Sequence, residues 1–294
     1  MYRRRIGNGR HLARGTLVAA ALLLGIVPLA GCSSGILSTT TPEAQEAATG
    51  TSEANLASLS SVVERNPNDP QAYNTRGSVY GQAGRFEQAL ADFDKAISLD
   101  TKYAQAYANR GLVHRQTRKL DLALADYNKA LALDPAYAAA LLGRGLVHRQ
   151  RGQLILALND FNKAIAIRPD NAQAYYNRGV LYQGQNQHQF AIDDFSIAIT
   201  LSPQQAEPLT ARGLSYLAVN DAKAAVGDLD EAVQVEPQGL AAWVARGLAY
   251  ERLGEKEKAA GSYAKALNIK RDHEPAREGF SRVGGQYGKT YQTF

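Results

Sequence analysis

The chain has 294 residues, 45% of them hydrophobic, with one cysteine, 33 Lys+Arg against 28 Asp+Glu, and a net charge of +5. That length and apolar fraction suffice for a sizeable core and exclude disorder as the main state; a single thiol excludes an internal disulfide, a multi-cysteine zinc site and an iron–sulfur cluster. The positive charge would point to nucleic acid or an anionic surface only if it sat on the folded part, and its placement says otherwise.

Residues 1–31 hold Arg3, Arg4, Arg5, Arg10 and Arg14 and no acid, so from residue 32 onward 28 basic residues face 28 acids and the net charge is zero. The basic stretch leads into an apolar run from Thr16 to Ala30. At about 1.5 Å per residue that run spans ~22 Å, short of a ~30 Å hydrocarbon core. A basic head, a short apolar body and small residues at its end predict a secretory signal peptide over 1–31. A permanent anchor helix is the other reading, and Gly25 and Pro28 interrupt it. The run ends Leu29-Ala30-Gly31-Cys32, which resembles the lipobox of bacterial lipoproteins. The resemblance implies cleavage before Cys32, acylation of its thiol, and an attachment through several acyl chains that is firmer than one chain gives. Ser33 and Ser34, with no Asp beside the cysteine, imply within that resemblance an outer-membrane destination. Residues 32–53 are expected to be the lipidated cysteine and a flexible Ser/Thr/Ala/Gly tether, and 54–69 a capping helix carrying Leu59, Val62 and Pro67.

The remainder is periodic. Arg-Gly dipeptides at Arg76-Gly77, Arg110-Gly111, Arg144-Gly145, Arg178-Gly179, Arg212-Gly213 and Arg246-Gly247 recur every 34 residues. In the same register, counted from residue 70, position 20 is Ala89, Ala123, Ala157, Ala191, Ala225 and Ala259, and position 27 is Ala96, Ala130, Ala164, Ala198, Ala232 and Ala266. Position 24 is aromatic or Leu, from Phe93 to Tyr263, and position 32 is Pro135, Pro169, Pro203 and Pro237 in the four middle units. Small residues let two antiparallel helices approach, aromatics fill what remains, and proline closes each second helix. Gly84, Gly152 and Gly254 at position 15 suit a left-handed turn, which Asn186 and Asn220 tolerate; the loop holding Arg118 fits this pattern worst. Thr101 and Arg271 replace proline at the first and last joints, whose ends are the least defined.

This pattern resembles the tetratricopeptide repeat. The resemblance implies an all-α protein, an α-solenoid of six helix-turn-helix repeats over 70–273 (70–103, 104–137, 138–171, 172–205, 206–239, 240–273) with flanking capping helices. The closing helix is expected at 274–283, followed by a mobile tail at 284–294.

Position 23 is Asp92, Asp126, Asp160, Asp194 and Asp228, which the antiparallel hairpin places near Arg76, Arg110, Arg144, Arg178 and Arg212 at position 7. Structural ion pairs are the expectation, and Ser262 at position 23 of repeat six removes that pairing for Arg246. In the family, the first helices line a concave surface through positions 2, 5, 6, 9, 12 and 13. The resemblance therefore implies a partner-binding groove lined by Asn109, Arg115, Leu142, Leu146, Arg149, Tyr176, Asn177, Val180, Leu214, Leu217, Val244 and Leu248, although such positions also pack laterally. The lysine and asparagine clamp that some relatives use for a carboxyl terminus is absent, since position 5 is never Lys. His114 and His148 at position 11 read as half-buried packing residues, with no third ligand spaced to make a metal site. Arg115, Arg149, Arg118, Lys119 and Arg151 make one end of repeats two and three basic, whereas 190–240 carries eight acids against two bases, a polarity able to orient an acidic partner segment.

No catalytic motif is present, so no enzyme activity, cofactor or metal is expected. The mature charge argues against nucleic acid. Taken with the two resemblances, the expected protein is a lipid-anchored adaptor in the cell envelope, facing the periplasm from the outer membrane and binding envelope proteins or peptides. Its setting would be envelope assembly, regulation of murein hydrolases or proteases, or pilus, secretin or outer-membrane assembly. A cell-wall hydrolase and a passive spacer are the rival classes. Nothing in the sequence sets the oligomeric state.

Overall fold

The structure is a computed structural model that describes residues 42–291, with side chains from Glu53 onward. The signal peptide, Cys32 and the first part of the tether lie outside the described residues. Helix α1 (Pro42–Arg65) precedes six hairpins: α2 (Pro70–Gln82) with α3 (Phe86–Leu99), α4 (Ala104–Gln116) with α5 (Leu120–Leu133), α6 (Ala138–Gln150) with α7 (Leu154–Ile167), α8 (Ala172–Gly184) with α9 (His188–Leu201), α10 (Ala206–Ala218) with α11 (Ala222–Val235), and α12 (Leu240–Arg252) with α13 (Lys256–Ile269). The short α14 (Glu274–Arg282) follows. Among the described residues no helix is long and apolar enough to cross a membrane.

The repeat alanines are the contact surface of each hairpin. All twelve at positions 20 and 27 are 0% exposed, and Phe93, Tyr127, Phe161, Phe195, Leu229 and Tyr263 at position 24 are buried beside them. Glycine at position 8 is a matter of distance: a Cβ on Gly145 would lie 2.6 Å from Phe161 Cε1. Burial of this kind, at about 1.5–3 kcal/mol for each large side chain, holds the helices, because most have no side-chain hydrogen bond at the N-cap and depend on tertiary packing.

Each first helix ends in the same hydrogen-bonded turn. The N–H of position 16 donates to the carbonyl of position 11, as Arg85 to Tyr80 at 2.9 Å and Lys119 to His114 at 2.8 Å, closing a Schellman-type cap. Position 15 is left-handed throughout: Gly84 has φ 73°, Asn186 59°, and Arg118 adopts φ 59° as well. The turn of repeat two is thus the common one, formed by a side chain poorly suited to it. The second helices likewise close uniformly, with Asp100 N–H donating to Ala96 O and Lys270 N–H to Ala266 O, so the joints without proline end where the others do. Proline accompanies this stop at four joints but is not required for it: Asp100 and Lys270 turn extended at the same place without one. At the next repeat, position 4 reaches back to the preceding joint: Trp243 Nε1 donates to Pro237 O at 2.9 Å, and Tyr73 Oη to Pro67 O at 3.3 Å.

Two boundaries differ from expectation. Helix α1 begins at Pro42, so residues 42–53, expected as tether, continue the capping helix; Pro-Glu-Ala-Gln-Glu-Ala-Ala has strong helix formers after a proline suited to a first turn. The tail is also fastened over 284–291. Phe280 on α14 is buried beneath Tyr287 and Tyr291, whose ring centroids lie 5.1 and 5.9 Å away, and Lys289 Nζ reaches Glu257 Oε1 at 2.7 Å. Helix α14 would otherwise present this aromatic ring to water.

Candidate partner-binding face

The backbones of successive first helices approach one another closely, α2 with α4, α4 with α6 and on to α12 with α14, whereas among the described residues those of successive second helices stand farther apart. A two-layer array closer-spaced in one layer bends toward that layer. The first helices therefore form the inner face and α3, α5, α7, α9, α11 and α13 the outer one.

A ladder of arginines ties the inner helices to the outer ones. At position 7, Arg178 Nε and Nη2 donate to Asp194 Oδ2 and Oδ1 at 2.8 and 2.7 Å, and Arg76–Asp92, Arg110–Asp126, Arg144–Asp160 and Arg212–Asp228 repeat this bidentate pairing. The aspartates are buried, between 3% and 7% exposed, so the pairs are shielded from salt. Their hydrogen bonds raise the pKa of each of these guanidiniums above its ordinary value against the opposing effect of burial.

A second acceptor escaped the sequence reading. The remaining nitrogen of each arginine reaches position 25 of the preceding unit: Arg76 to Ser60, Arg110 to Asp94, Arg144 to Asn128, Arg178 to Asn162 and Arg212 to Ser196, at 2.6 to 3.3 Å. Each arginine thus ties its own hairpin and staples it to the one before. The periodic run Ser, Asp, Asn, Asn, Ser was the available signal, hidden because the residue changes while the acceptor chemistry persists. Arg246 corrects the expectation for repeat six: its Nε donates to Asp230 at 2.6 Å and Nη1 to Ser262 Oγ at 2.9 Å, so the position-25 acid compensates for the lost position-23 one.

The twelve groove residues divide. Leu142, Leu146, Asn177 and Leu217 are buried between helices, Asn177 donating to Gln173 O at 2.7 Å. Asn109 bridges laterally, its amide donating to Asn74 Oδ1 and Ser78 Oγ on α2. Tyr176, Val180, Val244 and Leu248 are half-buried and Leu214 is 40% exposed, so these five provide apolar surface. Leu112, at position 9 of repeat two and 39% exposed, belongs with them and was overlooked. Arg115 and Arg149 are half-buried.

His114 and His148 do pack beside the ladder. Their Nε2 atoms lie 3.7 Å from Asp126 and 3.9 Å from Asp160, and His148 Nδ1 meets Gln153 Oε1 at 2.7 Å. Burial pulls the His114 pKa below the ordinary histidine value, Asp126 opposing. No group of three or more His, Cys, Asp or Glu among the described residues is arranged to hold a metal ion. Of the eight acids in 190–240, Asp194, Asp228 and Asp230 are engaged by arginines, which weakens the acidic end of the polarity.

Tandem antiparallel hairpins with a recurring Arg-Gly/Asp frame define a helical-repeat solenoid. Tetratricopeptide repeat profiles match residues 48–109, 74–138 and 210–275, with further matches at 145–186 and 172–205. The chain belongs to the tetratricopeptide repeat family, and its array is a protein-interaction scaffold. Among solved structures it is similar to the Cut9–Hcn1 hetero-tetramer of the APC/C (TM-score 0.70, 19% identity, 80% of this chain and 46% of that one). It is also similar to pilF of Pseudomonas aeruginosa (0.67, 20%, 72% and 97%) and to MamA (0.51, 27%, 56% and 96%). This chain thus spans less than half of the Cut9–Hcn1 chain it matches. No curated protein matches the sequence.

Proposed function

We propose that this protein is a lipid-anchored adaptor of the cell envelope, tethered through Cys32 and presenting the inner face of its repeats to partner proteins or peptides on the periplasmic side. The observation that carries the binding reading is the apolar surface left open on the inner helices, Leu112, Tyr176, Val180, Leu214, Val244 and Leu248, on elements rigidified by the arginine staples. An extended segment laid along it would cover these side chains, with nearby amides and guanidiniums to take its polar groups. The anchoring reading rests on the lipobox resemblance at Leu29–Cys32, and assembly or regulation of envelope enzymes is the setting this address favours.

The test is capture from envelope extracts by the anchored protein. Tyr176→Glu combined with Leu214→Glu should abolish capture while far-UV circular dichroism stays unchanged; undiminished capture counts against the inner face. In parallel, Cys32→Ala should release the protein from the membrane fraction, and a variant that still pellets with membranes would refute the anchor.

A further inference from the structure

We infer that the inner face of repeats two and three carries a carboxylate subsite, in which Arg115 on α4 and Arg149 on α6 receive acidic side chains of an extended partner segment. The inference rests on the adaptor reading above and specifies its occupant.

The two arginines share position 12 on adjacent, touching helices. Every position-7 arginine has a carboxylate, and these two do not: among the described residues neither forms an ion pair, and Arg115 Nε is buried without a hydrogen-bond partner. Burial, with Arg115 close by, pulls the Arg149 pKa below the ordinary arginine value, Tyr176 opposing. Two like charges held close and partly desolvated are a costly arrangement, and an incoming anion relieves both the repulsion and the unmet donors.

The supporting groups are also in place. Tyr127 at position 24 of repeat two points past α6 because position 6 there is Gly143; a Cβ on that residue would lie 2.4 Å from Tyr127 Cζ and 2.6 Å from its hydroxyl oxygen. The hydroxyl comes to lie against Arg115, and burial pushes its pKa up to about 12, so it remains a proton donor at physiological pH. Tyr176 also lies close enough to interact electrostatically with Arg149, and with Glu207.

Repeat six shows what this device does when a carboxylate is present. There Tyr263 points past Gly279 in the same way, its Cζ 2.3 Å from where a Cβ would be. Its hydroxyl donates to Glu251 Oε2 at 2.8 Å, and Arg282 clamps the same carboxylate at 2.9 and 3.1 Å. Glu251 occupies position 12, the place of Arg115 and Arg149. In repeat six Tyr263, and Arg282 at position 9 of the following register, hold a carboxylate that the chain itself supplies at position 12; repeats two and three keep the tyrosine and the glycine, have Leu146 at that position 9, and place Arg115 where the carboxylate was, so a carboxylate there must come from outside the chain.

The probe is a fluorescein-labelled peptide with an amidated C-terminus and alternating Leu and Glu, compared with its Leu/Gln counterpart by anisotropy on the full chain. The Glu peptide should bind at least about tenfold more tightly, the scale of one charge-assisted contact, with the preference falling as salt rises. Arg115→Gln with Arg149→Gln should erase the preference, and Arg149→Glu should shift it toward a Leu/Lys peptide; Lys163→Gln, exposed on the outer helix α7, should leave it intact. Equal binding of Glu and Gln peptides to the unaltered protein overturns the subsite yet leaves the inner face standing, since Leu214→Glu with Leu248→Glu, on α10 and α12, tests that separately. Displacement of the Glu peptide by an equal concentration of inorganic phosphate would also overturn it, as would binding of the Glu peptide only when its C-terminus is free.

Discussion

Removing Asp194 should cost more than any surface change in the array. The carboxylate is 5% exposed and accepts two hydrogen bonds from Arg178, so Asp194→Ala leaves a guanidinium without its main partner. Breaking a buried pair typically costs about 3–5 kcal/mol. Here Arg178 is 20% exposed and keeps Asn162 Oδ1 at 2.7 Å, which lowers the expectation to about 2–4 kcal/mol. Arg178→Ala should fall at the upper end, because it strands the more buried member. The double variant should cost well under the sum of the two, with a coupling energy of about 2 kcal/mol that persists in high salt. Urea unfolding followed by circular dichroism measures all four corners of the cycle. A coupling below about 0.5 kcal/mol would refute the claim that the ladder is structural, leaving the pairs no stronger than surface ones.

Gly145→Ala should destabilise by about 1–3 kcal/mol through the clash with Phe161, whereas Gly184→Ala, whose added methyl meets nothing within 4 Å, should be neutral or slightly stabilising; equal effects would sink the close-approach argument. Arg118→Gly should raise stability by about 0.5–1 kcal/mol by relieving the left-handed φ of 59°, read as a shifted urea midpoint. Because burial depresses the His114 pKa, the unfolded chain binds its proton first; the histidine's contribution is present above the unfolded value near 6.5 and is lost as pH falls below it. The charged groups around this ring are Asp126 and Asp94, which raise its pKa, and Arg110 and Lys119, which lower it. His114→Tyr should flatten the stability profile between neutral pH and the depressed value, and parallel profiles for the two proteins would contradict this.

What the sequence disclosed and what it withheld follow from where each contact lies. Gly145 against Phe161, or Arg178 against Asp194, is settled inside one hairpin, so the 34-residue period alone locates it. The staple from Arg178 to Asn162 crosses between hairpins and uses Ser, Asp or Asn interchangeably, which blurs the period. The inner face is harder still. Leu217 and Leu214 sit one helical turn apart with similar chemistry, yet Leu217 is 3% exposed and Leu214 40%, a division made by the adjacent first helix rather than by local pattern. Tyr291 folding onto Phe280 likewise depends on an uncovered end, which no repeat position encodes.

The central claim is that partners bind the inner face, and site-specific photocrosslinking tests it most directly. A benzophenone amino acid at Leu248 on α12 or Leu214 on α10 should give discrete crosslinks to partner proteins in envelope preparations, whereas the same probe at Ile155 on the outer helix α7, 76% exposed, should give none. Crosslinks from Ile155 in the absence of any from Leu214 and Leu248 would contradict the account.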